Sequence, residues 1–155
     1  IRAIVTAAEG EVEAVVDGEV RAKIGERNIY FVPTACDGTG CRGLQVFAVY
    51  EAQPAFEDIN AFNDAVGPVK LVAVDRFVVM TSYLILDHGV TFENLVEQVR
   101  VFQDIMPLLE IALYAASTDE RKGAFDRSQG PVVGLTEEFA TGITARALAT
   151  TRPPR

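Results

Sequence analysis

Residues 11–24 read Glu11-Val12-Glu13-Ala14-Val15-Val16-Asp17-Gly18-Glu19-Val20-Arg21-Ala22-Lys23-Ile24, and the fold class follows from them. Val12, Ala14 and Val16 alternate with Glu11, Glu13 and Val15; beyond Asp17-Gly18, Val20, Ala22 and Ile24 alternate with Glu19, Arg21 and Lys23. A period of two sends successive side chains to opposite faces of a strand. Asp-Gly tolerates the positive φ that a two-residue hairpin turn demands. The stretch therefore predicts a β-hairpin with one wet face.

Upstream, Ile1, Ile4, Val5 and Ala8 recur at helical spacing and Gly10 stands where a C-terminal helix glycine would, so 1–9 reads as the last turns of a helix. Downstream, Gly25-Glu26-Arg27 makes a turn, 28–35 and 43–50 read as strands, and Cys36-Asp37-Gly38-Thr39-Gly40-Cys41 lies between them. Pro33 weakens the end of the first of these strands, since it has no amide to donate. Pro54 suits the first turn of a helix in which Phe56, Ile59, Phe62 and Val66 form the apolar stripe until Gly67-Pro68. Residues 69–74 and 77–86 are rich in β-branched side chains and pair across a tight Asp75-Arg76 turn. Thr91 then caps a long helix with Phe92, Leu95, Val96, Val99, Phe102, Met106, Leu109 and Leu113 on its buried face, which Pro107 is expected to kink or divide. After Ser117 the composition shifts to Thr, Arg, Gly and Pro, with one candidate helix over 136–149 whose apolar stripe is Phe139, Ile143 and Leu148, with Leu135 just before it. The expected organisation is an α+β domain over 1–116, built on an antiparallel sheet, and a C-terminal extension over 117–155.

At 155 residues, 49% of them hydrophobic and 23% charged, the chain has the length and balance of one folded domain. Its most apolar stretches, 77–86 and 108–116, fall short of the roughly 20 residues that span a bilayer, so no membrane insertion is expected. Fourteen basic residues against 22 acidic ones give a formal charge of −8, which repels phosphate backbones. The basic residues do not cluster: Arg21, Lys23 and Arg27 are interspersed with acids, and Arg121 and Lys122 follow Asp119 and Glu120. Nucleic acid is therefore not an expected partner. The chain opens on Ile1 rather than Met, which reads as the trace of a removed export signal or of residues outside the numbering.

Three pieces carry a resemblance: Gly43-Leu44-Gln45-Val46-Phe47, the helix segment Asp58-Ile59-Asn60-Ala61-Phe62-Asn63, and the helix start Gly89-Val90-Thr91-Phe92-Glu93-Asn94-Leu95 after Leu86-Asp87-His88. Together they resemble the YbjN family of bacterial sensory-transduction regulators. The resemblance implies the order helix, four strands, helix, two strands, helix, a fold similar to that of type III secretion chaperones, over about 1–116. Exported relatives also resemble this chain in two cysteines flanking a Gly/Asp-rich hairpin. The short Asp75-Arg76 turn and the truncated first helix depart from the family pattern.

Cys36 and Cys41 are the only cysteines, and a hairpin brings such a pair within reach of a disulfide, which points to a periplasmic or secreted protein. Free thiols are the alternative. Zinc would need two further soft ligands, and the only histidine, His88, is remote in sequence; a redox pair ordinarily has two residues between its cysteines rather than four. No metal or cofactor is expected. Asn60 and Asn63, one helical turn apart where asparagine is a poor helix former, either cap nearby backbone or form a polar recognition spot. His88 reads as a solvated turn residue, and with the two asparagines makes up the candidate partner-binding set. Glu57 with Asp58, and Glu137 with Glu138, suit helix N-termini rather than a paired-carboxylate site. No catalytic residues are assigned. The expected function is a non-catalytic protein-binding, chaperone-like or regulatory module of the bacterial envelope, able to form a homodimer. The alternative is a small-ligand sensor domain.

One prediction follows from the cysteines alone. In protein matured in its native compartment, intact mass after alkylation without reductant is expected to show no label on Cys36 or Cys41. Two freely alkylating thiols would rule the bridge out.

Overall fold

The computed structural model describes residues 1–118. Its elements are α1 (Arg2–Ala7), β1 (Gly10–Val16), β2 (Glu19–Ile24), β3 (Arg27–Asp37), β4 (Gly40–Glu51), α2 (Phe56–Ala65), β5 (Lys70–Val74), β6 (Phe77–Ile85) and α3 (Phe92–Thr118). This α+β order matches the sequence reading. The candidate helix over 136–149, with its Leu135, Phe139, Ile143 and Leu148 stripe, lies outside the described residues, as do Glu137 and Glu138.

The six strands form one antiparallel sheet in the order β1-β2-β3-β4-β6-β5. Four connections are two-residue turns, closed by the pairs Val16 with Glu19, Ile24 with Arg27, Asp37 with Gly40 and Val74 with Phe77. Asp17 and Gly18 both take positive φ, 50° and 87°, as an Asp-Gly hairpin turn requires. Arg27 belongs to β3 rather than to the turn before it. After β4 the chain passes through α2 to the outer strand β5, and β6 then returns between β5 and β4.

All three helices contribute to one hydrophobic core on one face of the sheet. Ile4 and Val5 of α1, Ile59 of α2, and Val96, Val99, Phe102, Ile105, Met106 and Leu109 of α3 join Ala22, Ile29, Phe31, Leu44, Val46, Val78 and Met80 from the strands. Phe62 and Leu95 pack against this core while half-buried, so the two predicted helical faces meet there. Thr91 does cap α3, its Oγ1 accepting from Asn94 N–H at 3.2 Å. Asp58 accepts from Ala55 N–H at 3.2 Å, closing the start of α2.

Four local expectations are corrected. Phe56 is 75% exposed and Phe92 is also exposed, because each is the first residue of its helix and faces away from the sheet's core. α3 runs through Pro107 as one helix instead of dividing there. Glu9, with φ 60°, takes the left-handed position after α1; Gly10 opens β1, where a Cβ would come within 2.6 Å of Ile24 Cγ1 and 3.1 Å of Val5 Cγ1. A bulge between Val12 and Ala14 breaks the alternation of β1, so Val12 stays opposite Ala22 while Val16 moves to the other face opposite Glu19.

The far end of α3 is tied to the sheet by Arg27, whose Nε and Nη2 donate to the two carboxylate oxygens of Glu110 at 2.6 and 2.7 Å. This fork-to-fork geometry keeps the guanidinium charged, its pKa raised by the Glu110 hydrogen bonds. Nearby, Tyr50 is 3% exposed and its hydroxyl has no hydrogen-bond partner among the described residues. Burial, with the Glu110 charge second, pushes its pKa well above 10.0. Phe102→Ala and Ile59→Ala are expected to destabilise by about 2 to 5 kcal/mol in denaturant titrations. Tyr50→Phe is expected to be neutral or stabilising by up to about 1 kcal/mol, because the lost hydroxyl was buried without a partner. With the folded pKa above the unfolded one, Tyr50 favours the fold fully below the ordinary tyrosine range, and that share fades as pH rises through and beyond it. Stability of Tyr50→Phe should accordingly fall less steeply at alkaline pH than that of the parent.

Candidate functional site

Three strands of the sheet are apolar on both faces. Ile29-Tyr30-Phe31-Val32 in β3, Val46-Phe47-Ala48-Val49-Tyr50 in β4 and Phe77-Val78-Val79-Met80 in β6 run without alternation. One parity serves the helix-covered core. The other builds a second buried cluster of Tyr30, Val32, Phe47, Val49 and Val79, with Val74 and Phe77 half-buried against it, and no helical residue among the described ones takes part. Tyr30 and Phe47, directly paired across β3 and β4, stack with ring centroids 5.1 Å apart.

The register sets polar groups around this cluster. Towards the β3–β4 turn, Gln45 Nε2 donates to Thr81 Oγ1 at 3.2 Å. Beyond it Tyr83 lies across Gly43, its hydroxyl 3.0 Å from Thr34 Oγ1. A Cβ at Gly43 would sit 2.0 Å from the Tyr83 hydroxyl and 2.4 Å from Thr34 Oγ1, so only glycine lets the ring lie there. At the opposite end Arg76 stands 5.1 Å over the Phe77 ring and 3.5 Å from Glu51. On the β2 side Arg21 lies opposite Tyr30 and 3.1 Å from Glu13, in an ion pair whose Nε–H is not aimed at the carboxylate. Val72 (47% exposed), Tyr83 (55%) and Ile85 (65%), on the same face by strand parity, are open to solvent. The result is an apolar, partly aromatic centre within a mixed-charge rim.

Cys36 and Cys41 pair directly across the tip of the β3–β4 hairpin and are joined by a disulfide, with Cα atoms 3.9 Å apart. Asp37 organises the turn beyond them. Its Oδ1 accepts from Thr39 N–H at 2.8 Å, Thr39 Oγ1–H at 2.6 Å and Gly40 N–H at 3.2 Å, and the Thr39 hydroxyl above all holds the carboxyl below its usual pKa.

The other candidate residues are dispersed. Asn63 pairs with the β5 backbone: its Oδ1 accepts from Leu71 N–H at 2.7 Å and its Nδ2 donates to Leu71 O at 3.1 Å. It therefore fixes α2 against the strand. Asn60 is exposed on the same helix. His88, exposed and with φ 61°, sits in the turn after β6 with its Nε2 3.8 Å from Asp87. Among the described residues no hydrogen bond or ion pair joins His88 to either asparagine. Sequence reasoning passed over the second sheet face, although the uninterrupted apolar runs of β3, β4 and β6 are the signal of strands buried on both sides. Neither a membrane-length apolar helix nor a metal-ligating cluster of His, Cys, Asp or Glu occurs among the described residues.

Comparisons with known proteins agree with this architecture. A family model described as "YbjN: Putative bacterial sensory transduction regulator" matches residues 1–107. Among solved structures, the chain is similar to "Crystal structure of YbjN, a putative transcription regulator from E. coli", with a TM-score of 0.55 at 17% identity, covering 75% of this chain and 88% of that one. A comparison with curated proteins finds no match. The structural likeness establishes the shared fold, the family model accounts for more than half of the sequence, and the chain belongs to the YbjN family.

Proposed function

We propose that this domain is a non-catalytic regulatory module of the bacterial envelope that binds a protein partner, in chaperone-like fashion, through the second face of its sheet. The observation that carries the reading is the exposed apolar set Val72, Tyr83 and Ile85 at the border of the buried Tyr30–Phe47 cluster. Exposed apolar and aromatic side chains beside polar groups have the composition of a protein-recognition surface. The net charge of −8 speaks for a protein rather than a nucleic acid as the molecule contacted, and the description of the family as regulatory is compatible with that. The Cys36–Cys41 bridge supports placement in an oxidising compartment. Asn60 and His88, both exposed, would be peripheral to such a surface. A homodimer belongs to the same proposal: Leu108 and Ile111, three residues apart on α3, present exposed apolar side chains that a second copy could cover.

The test is capture of partners from the native envelope fraction by the full chain. Val72→Asp with Ile85→Asp, both at exposed positions, should abolish the captured band. Ala61→Asp on the exposed side of α2 should leave it unchanged. Equal capture by all three proteins, with unaltered circular dichroism, would remove the sheet face from the proposal. Light scattering of the full chain and of a Leu108→Asp variant reports on self-association in the same samples.

A further inference from the structure

We propose that the Cys36–Cys41 bridge is a reversible thiol switch, the target of a dithiol oxidoreductase, and that its reduction frees the border of the second sheet face formed by Thr34, Gly43 and Tyr83. The effect of that release on binding rests on the proposed role of the face; the exchange itself rests on the hairpin alone.

The backbone beside the bridge is strained. Ala35 has φ 51° and is, among the described residues, the one non-glycine residue to take positive φ inside a strand; Glu9, Asp17, Asp75 and His88 do so between elements. The left-handed region crowds Cβ against the following carbonyl oxygen, and alanine has no polar side chain to offset the cost. The β3–β4 register runs from Thr34–Gly43 to Cys36–Cys41 with no pair at Ala35. On one side the conformation is held by the Tyr83 hydroxyl, 3.0 Å from Thr34 Oγ1, and on the other by the disulfide. Hydrophobic packing takes no part, since no residue from 33 to 43 belongs to either buried cluster. Opening the S–S bond removes the covalent clamp and lets Ala35 return to extended backbone.

The bridge is also accessible. Cys36 is exposed while Cys41 is half-buried, so the Cys36 sulfur is the one an attacking thiolate reaches. The donor's first thiolate bonds to Cys36 Sγ, the S–S bond breaks, and Cys41 Sγ leaves as a thiolate that takes up a proton. The donor's second thiolate then attacks the donor sulfur of the mixed disulfide and expels the Cys36 thiolate, which is protonated in turn. Two electrons pass to the pair, which ends as two thiols; the donor ends as a disulfide and its thiols supply both protons. Four residues between the cysteines, in a turn rather than at a helix N-terminus, suit the pair to receive electrons and not to catalyse exchange. By β4 parity Cys41 lies on the side of Gly43, Gln45 and Phe47; Gly43 is opposite Ile85, and Tyr83 lies across it. The switch therefore adjoins two of the three exposed apolar residues of that face.

The test equilibrates the full chain over a range of reduced-to-oxidised dithiothreitol, with alkylation and intact mass reading the thiols and mass spectrometry reading amide exchange. A two-thiol form is expected with unchanged circular dichroism. Exchange over 34–43 and 81–86 should quicken by about tenfold on reduction while that over 96–109 stays constant. Ala35→Gly, which takes positive φ without that crowding, should need a several-fold higher ratio of reduced to oxidised reagent for half-reduction. A catalytic amount of thioredoxin should speed the reduction by about tenfold or more, as thiolate attack on an open sulfur allows. Thiols that appear only as circular dichroism is lost would make the bridge a structural staple and overturn the proposal. So would unchanged exchange at the tip after reduction, an Ala35→Gly midpoint at or below that of the parent, or a reduction that thioredoxin does not accelerate. No partner enters these measurements, so their failure leaves the reading of the face to the capture experiment.

Discussion

The constraint on which the rest of this structure depends is the burial of β4 on both sides. Leu44, Val46, Ala48 and Tyr50 enter the helix-covered core, while Phe47 and Val49 enter the second cluster. A strand that is apolar at both parities fills either face adequately, so a slip of one residue would exchange Phe47 for Val46 with little change in hydrophobicity. Strands of this kind specify their register weakly through pattern alone. The register of β3, β4 and β6 is therefore set by particular devices. Two-residue turns close β3–β4 and β5–β6, Gln45 reaches Thr81, and Tyr83 fits only over a residue without a Cβ, which is Gly43. These contacts lie on the second face. The second face thus fixes the strand alignment on which the helical core is built.

How far the sequence could be read depends on how local each determinant is. The Asp17-Gly18 turn, the Thr91 cap and the spacing from Val96 to Leu109 are properties of adjacent residues, and all appear where expected. The bulge at β1 is different. Alternation of Val12, Ala14 and Val16 is continuous on paper, and only pairing with β2, through the opposition of Ala22 to Val12 and Arg21 to Ala14, reveals the extra residue. Pro107 failed as a helix breaker because α3 is held on both sides of it, by Phe102 and Met106 before and by Leu109 and the Glu110–Arg27 fork after. The candidate site was legible in part. Cys36 and Cys41 face one another as a hairpin implies, but the aromatic face is assembled from three strands whose order, β3-β4-β6, no local pattern encodes.

The charges divide in a way that suits a domain with one apolar face. The forked Arg27–Glu110 pair is half-buried and joins a helix end to a strand start, where a fixed geometry is useful. Pairs such as Lys23–Glu26, Arg42–Asp37 and Arg100–Glu97 are open to water, where screening leaves them little weight in holding the fold. The excess of acids over these few pairs leaves the domain negative, which opposes non-specific adhesion between copies.

The disulfide belongs to a different part of the problem. Beyond Thr34 the β3–β4 hairpin runs past the core: Ala35, Cys36, Asp37, Gly38, Thr39 and Gly40 are all exposed, and two strands without a covered face are marginal in water. Hydrophobic burial cannot order such a tip. A covalent link directly across the pair, with the Asp37 carboxylate gathering three donors in the turn, takes its place. Because the loop it closes is short, its effect on global stability is modest, about 2 kcal/mol on the chain-entropy account. Its local consequence is larger, since the tip adjoins Thr34, Gly43 and Tyr83, which bound the aromatic face. Reduction would leave the helical core intact and loosen the one border of that face that no hydrophobic packing secures.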